Sequence, residues 1–276
     1  MADRATLGEF LRTRRGRLTP QDVGIVSHGA RRVPGLRREE LAQLAGVSVT
    51  YYTRLEQGQS HQASEPVLDA LARALELTAD ERVYLHHLAR PVPVPPLTAD
   101  PATARGSTRR LIDSLDAPAV LTGMRTEVLA WNALGHRLLA GHLDRDAPND
   151  LDQRPNLTRL LFLDPHHRDL YPRWQTSASC AVASLRLTAS RHRDDPELAA
   201  LIGELTMNSD EFSALWSAHP VAQHASGPRS LHHPEVGELS LELETLLLAD
   251  DPDQRLLVFN AADASPSGAA LQLLRT

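Results

Sequence analysis

The chain contains no lysine. All 29 of its basic residues are arginine, which excludes a P-loop lysine, a Schiff-base lysine and a Ser-x-x-Lys nucleophile pair. Cysteine occurs once, at Cys180, so no intrachain disulfide can form and a reducing compartment fits. Aromatics make up only 4% of the 276 residues. The core must therefore be filled by Leu and Ala, for which the 42% apolar content is sufficient. No apolar run approaches the roughly 18 residues of a membrane span. The N-terminal stretch, with Asp3 and Glu9 among its arginines, is no signal peptide, and a cytoplasmic protein is expected. Gly-x-Ser-x-Gly, Gly-x-Gly-x-x-Gly, His-Glu-x-x-His and His-x-His are all missing. Thirteen histidines thus show no ligand spacing, and His232-His233 beside Pro234 has only Glu235 as a close carboxylate. No metal, cofactor or catalytic residue is expected.

Charge is unevenly distributed. The net charge of −6 conceals ten Arg against six acids over residues 1–60, a local +4, and fifteen Arg against twenty-three acids over 107–276, a local −8. A basic N-terminal part and an acidic remainder suit a protein that meets a polyanion through one end only.

The basic end holds the most informative stretch, Arg31 to Gln59. Leu41, Ala42 and Ala45 share one helical face, and Tyr52 and Leu55 share another. Gly46 lies between the runs, where a sharp turn needs positive φ. Ser48 is placed to cap the second run and Gly58 to stop it. Two short helices joined by a tight turn form a helix-turn-helix. A merely structural helical hairpin would lace its outer face with Glu and Lys. Here that face carries Val49, Thr50, Thr53 and Arg54, with Ser48 and Tyr51 beside them, and the flanks carry Arg31, Arg32, Arg37 and Arg38. Short or hydrogen-bonding groups within a basic rim fit base edges and phosphates, so these ten residues are the candidate contacts to double-stranded DNA.

Along the chain, Thr6 and Glu9 form a capping box over a helix with Leu7, Phe10 and Leu11 inward. Arg12, Arg14, Arg15 and Arg17 follow, and at least some of them are expected to touch the DNA backbone. Ser64 opens a helix striped by Val67, Leu68, Leu71 and Leu75, and Thr78 and Glu81 box a fifth, with His86 and His87 expected at the surface. Five short helices within residues 1–90 make an all-α domain. Residues 91–106 hold five prolines and read as a semi-rigid polyproline spacer. Residues 107–276 begin with a helix carrying Leu111, Ile112 and Leu115. Strands follow at Ala119–Thr122 and Glu127–Trp131, then helices near 132–139, 156–162, 171–190, 198–205 and 211–219. Strands at Val221–His224, Leu239–Leu247 and Arg255–Asn260 and a helix at Ser267–Leu274 complete an α+β layout.

Arg31-Arg-Val-Pro-Gly-Leu-Arg-Arg-Glu-Glu-Leu-Ala42 and the helices around it resemble the Xre-type, lambda-repressor-like helix-turn-helix, in its actinobacterial branch. Gln59 departs from that branch, which often has Arg there. Asn156-Leu-Thr-Arg159 through Pro165, Arg168, Tyr171, Trp174 and Ala183-Ser-Leu-Arg186 resemble the MmyB-like ligand-binding domain. So do Asp195-Pro-Glu-Leu198, Leu201–Leu205, Ser209–Phe212, Leu215-Trp216, His219 and His233-Pro-Glu-Val-Gly237. The second resemblance runs from about Leu111 to the C-terminus. It implies a PAS-like fold, with an antiparallel sheet and helices over one face, and an apolar cavity for a fatty-acyl-like ligand. An acyl site needs an apolar tunnel with a polar mouth. Trp131, Phe162, Trp174, Leu185 and Trp216 could line it, with Asn132, Arg186, His219 or His233 at the polar end; Arg186 could equally pair with Asp195. Together the resemblances imply a transcription regulator that binds an operator as a homodimer, represses, and senses a small apolar ligand. The rival readings are a DNA-binding regulator whose second domain binds a protein partner, and an enzyme fused to a DNA-binding domain, which the missing motifs disfavour.

Overall fold

A computed structural model describes residues 7–25, 35–59, 63–90, 103–192, 194–218 and 226–275. The N-terminal part is helical: α1 (Leu7–Arg17), α2 (Arg38–Leu44), α3 (Val49–Glu56), α4 (Glu65–Ala74) and α5 (Ala79–Ala89). Their apolar stripes converge on one core, in which Phe10, Leu11, Leu41, Ala42, Tyr52, Leu55, Leu68, Leu71 and Leu85 are fully buried. Local chemistry sets the corners. Gly46 turns the chain between α2 and α3 at φ 66°, a conformation that costs glycine little. A Cβ on Gly8 would collide with the Glu56 carbonyl, so glycine allows α1 to lie directly on the end of α3. Thr78 and Glu81 form the expected capping box on α5. His86 and His87 are half-buried rather than superficial, and His86 reaches Asp69 on α4 (3.2 Å).

The C-terminal part is α+β. After α6 (Gly106–Ser114) come β1 (Ala119–Thr122), β2 (Val128–Trp131), α7 (Ala133–Ala140), α8 (Leu157–Leu163), α9 (Pro165–Leu170), α10 (Trp174–Arg191), α11 (Pro196–Asn208) and α12 (Asp210–Ser217). Strands β3 (Gly227–His233), β4 (Gly237–Leu248) and β5 (Asp251–Asn260) and helix α13 (Pro266–Leu273) end the chain. The strands form one antiparallel, PAS-like sheet in the order β2-β1-β5-β4-β3. Two expected features differ. The expected strand at 221–224 lies outside the described residues, whereas β3 comprises seven residues of weak strand propensity, Gly-Pro-Arg-Ser-Leu-His-His, that pair with β4 along their whole length. Helices also cover both faces. Leu231, Leu239, Leu241 and Phe259 pack with α7 and α13, while Ala119, Leu121, Leu129 and Leu256 pack on the opposite face with Ile112 of α6. Leu111, expected to face that core, is exposed.

Candidate nucleic-acid interface and sensor interior

Helix α3 owes its orientation to its ends and its inner face. The Ser48 hydroxyl accepts a hydrogen bond from the Tyr51 N–H (3.1 Å), and Tyr52, Leu55 and Glu56 are buried. Val49, Thr50 and Arg54 are therefore exposed, with Tyr51 and Thr53 half-buried beside them. Arg37 is exposed at the start of α2, where its backbone N–H donates to Glu40 (2.6 Å). Arg31 and Arg32 lie outside the described residues.

Sequence reasoning overlooked the group that ties this face together, Glu56. Its side chain is wholly buried, and Arg12 (3.4 Å), Arg15 (2.8 Å) and Arg38 (3.2 Å) converge on it. Burial alone would raise the Glu56 pKa. The hydrogen bonds and charges of Arg15 and Arg38 outweigh that and hold the carboxyl below its ordinary value. Arg38 thus fastens α2 to α3, with its guanidinium half-exposed at the rim. Arg15 also donates to the Leu36 carbonyl (2.7 Å). Arg14, one of the arginines considered for the DNA backbone, is instead interior: it is 4% exposed, pairs with Glu81 (2.9 Å) and lies over the Phe10 ring. Desolvation lowers its pKa to about 10 despite Glu81. The available signal was an acid on the inward side of α3, a position that demands a cation.

In the C-terminal part, the structure divides the candidate ligand residues into two sets. Phe162, Trp174, Leu185, Arg186 and Trp216 come together where α8, α10 and α12 meet. Their rings are in contact with one another: Phe162 lies edge-on to Trp174 (5.4 Å) and to Phe212 (5.1 Å), and Phe212 stacks on Trp216 (5.6 Å). Arg186, 1% exposed, covers Trp216 (4.0 Å) and donates to its carbonyl. Asp195 is not its partner; the Asp195 carboxylate takes a bidentate pair from Arg125 (2.6 and 2.9 Å). Trp131, Asn132 and His233 lie elsewhere. Asn132 is saturated: its Oδ1 accepts from the N–H groups of Ala119 and Gly135, and its Nδ2 faces the carbonyls of Ile112, Leu115 and Ala117. It clamps α6, β1 and α7, and no hydrogen-bonding capacity remains for a ligand, which corrects its placement at a polar mouth. His233 is buried, facing the Arg137 carbonyl and the Glu235 N–H. His219 lies outside the described residues.

Helix α10 belongs to both parts of the molecule. Trp174, Ala178, Val182 and Leu185 face the C-terminal core, while Leu187 is buried in the N-terminal core, where α10 packs on α5. Beside this contact, Arg17 at the end of α1 donates to the Ala218 carbonyl after α12 (2.6 Å). An open cleft of about 330 Å3 lies among α8, α9 and the start of α12, lined by Phe162, Asp164, Arg168, Asp169 and Glu211 among others. Its three acids make it a poor host for an anionic head group. Among the described residues, no group of three or more His, Cys, Asp or Glu is placed to hold a metal ion, and no helix is long and apolar enough to cross a membrane.

Comparison with known families gives two matches. Residues 104–274 match the MmyB-like transcription regulator ligand binding domain, and residues 6–85 match a helix-turn-helix domain. No curated protein matches the chain.

Proposed function

As the chain belongs to the MmyB-like transcription regulators, DNA-binding proteins that join a helix-turn-helix domain to a ligand-binding domain, we propose that it is a repressor acting as a homodimer and released or engaged by a fatty-acyl-like ligand. In this reading Val49, Thr50, Thr53 and Arg54 enter the major groove, with Ser48 and Tyr51 at the entry of the helix. Arg31, Arg32, Arg37 and Arg38 hold phosphates. A homodimer would set two recognition helices one helical turn apart, because a single domain of this size reads only half a site.

The observation that carries the sensing half is α10. A ligand regulates only if it binds two states with different affinity. A helix that walls the ligand-binding core and also inserts Leu187 into the DNA-binding core gives those states a common element. Long acyl chains suit an aromatic-poor interior, since each buried methylene contributes about 0.8 kcal/mol. The test is to purify the protein natively, identify co-purifying small molecules by mass spectrometry, and titrate delipidated protein with fatty acids of increasing length. Stabilisation that grows with chain length, together with a change in operator affinity, supports the reading. A lipid-free protein that ignores every acyl chain refutes it and points to a protein partner for the second domain.

A further inference from the structure

Three of the thirteen histidines meet between the end of α7 and α9, and none of them takes part in the proposed DNA or ligand contacts. The rings of His142 and His166 lie 4.1 Å apart, those of His166 and His167 5.9 Å, and those of His142 and His167 6.3 Å. His142 and His166 are partly open to solvent, whereas His167 is 1% exposed and lies beside the Tyr171 ring (5.9 Å). Helix α9 has only six residues, too few to persist without what packs on it. Its buried anchors are His167 and Leu170. On its exposed side Arg168 lies over the Trp174 ring (3.7 Å) and bonds Glu211 (3.2 Å), which fastens α9 to the starts of α10 and α12.

The charge of this corner depends on pH. Asp164, which caps α9, faces His142 (2.7 Å) and accepts the His166 backbone N–H (2.8 Å). Asp169 on α9 is the second acid near the rings. From β3 come His233, close enough to act on His166, and Arg229, which acts on Tyr171. Arg137 of α7 turns its guanidinium away, to the Leu274 carbonyl (2.7 Å). Burial lowers the His167 pKa from 6.5 to about 4, and the nearby His166 and His142 oppose its charge further, against Asp164 and the Leu139 backbone. Burial and His142 also lower that of His166. The closed packing therefore accepts neutral rings and resists protonated ones.

We propose that this histidine cluster is an acid-opened latch, which holds α9 against α7 and β3 while neutral and releases α9 and the start of α10 when it gains protons. Released rings meet water, so protons favour the open form. The closed form is complete above about pH 6.5 and is lost progressively below it, and His167 alone shifts the balance about thirtyfold between pH 7.5 and 5.0. The latch acts on α10, the helix shared by both cores, and does not depend on the identity of any ligand.

Hydrogen exchange of the full-length protein at pH 7.5 and 5.0, corrected for the intrinsic rate at each pH, reads this balance segment by segment. In the wild type, protection over residues 164–174 should fall at least about tenfold at pH 5.0, while that of β4 changes by less than about threefold. His167→Phe keeps an aromatic ring beside Tyr171 but takes no proton, so most of the fall should disappear. His166→Asn removes one charge at a half-buried position and should lessen the fall; it serves also if the His167 variant does not fold. A segment equally protected at both pH values, or one that loses protection together with β4, overturns the latch. So does a fall that survives both substitutions.

Discussion

Glu56→Gln is the substitution that the geometry of the DNA-binding domain makes most consequential. The carboxylate is fully buried, and three arginines from α1 and α2 are directed at it. Glutamine preserves the volume and one acceptor oxygen but removes the charge, leaving Arg15 and Arg38 side by side without compensation. Breaking a buried ion pair from one side costs about 3–5 kcal/mol. The half-exposed Arg12 and Arg38 can turn to solvent, so the expected loss is near the lower end, about 3 kcal/mol. In urea unfolding of the full-length protein this lowers the midpoint of the N-terminal core by about 1–3 M. Glu39→Gln, on the exposed side of α2, serves as the control and should stay within about 0.5 kcal/mol. The pH dependence adds an independent check. Because the Glu56 pKa is lowered in the folded state, its contribution is complete above its ordinary value, about pH 4.5, and is lost as pH falls through the folded value. The variant should lack that acid-side loss. A Glu56→Gln protein as stable as the control, with an unchanged acid limb, would refute the view that this carboxylate holds α1, α2 and α3 together.

Arg54→Ala should cost about 1–3 kcal/mol of operator binding and relax the preference at one base pair; a gel-shift series with unchanged affinity and selectivity would reject the proposed groove face. Leu187→Ala removes the α10 side chain buried in the N-terminal core and should cost about 2–5 kcal/mol. Calorimetry should then resolve two unfolding transitions if the wild type has one; a single unshifted transition would mean that α10 does not couple the two cores. Burial of His167, 1% exposed on α9, lowers its pKa from 6.5 to about 4. Its stabilising effect is complete above about pH 6.5 and disappears as pH falls towards and through 4, a change of about 3 kcal/mol. His167→Leu should flatten that part of a stability-against-pH curve, and an unchanged slope would place the acid sensitivity in other groups.

Most of what could be read directly from the residues was local. The turn at Gly46, the Ser48 cap, the Thr78–Glu81 box and the apolar stripes each depend on residues within about four positions of one another, where spacing alone specifies geometry. The outward set Val49, Thr50 and Arg54 follows from the same periodicity. Tertiary structure decided everything that depends on partners distant in sequence. Glu56 takes Arg15 from 41 residues away, Asp195 takes Arg125 from 70 residues away, and Asn132 is saturated by α6, β1 and α7. No spacing rule distinguishes an arginine that grips a phosphate from one that neutralises a buried acid, since both need the same side chain and differ only in what folds against it. Strand β3 shows the same limit. Its proline, glycine and two histidines give it little tendency to be extended, and it is a strand because β4 offers it seven partners. Phe162, Trp174 and Trp216 were identified as a group from sequence, yet whether three aromatics line a cavity or stack on one another depends on the crossing of α8, α10 and α12. The sequence alone determined the two domains' types and the outward side of α3, because periodicity and capping act within a single turn. The division of the arginines between structure and recognition, and the sharing of α10 by both cores, were fixed only when distant segments competed for the same charges and the same apolar surface.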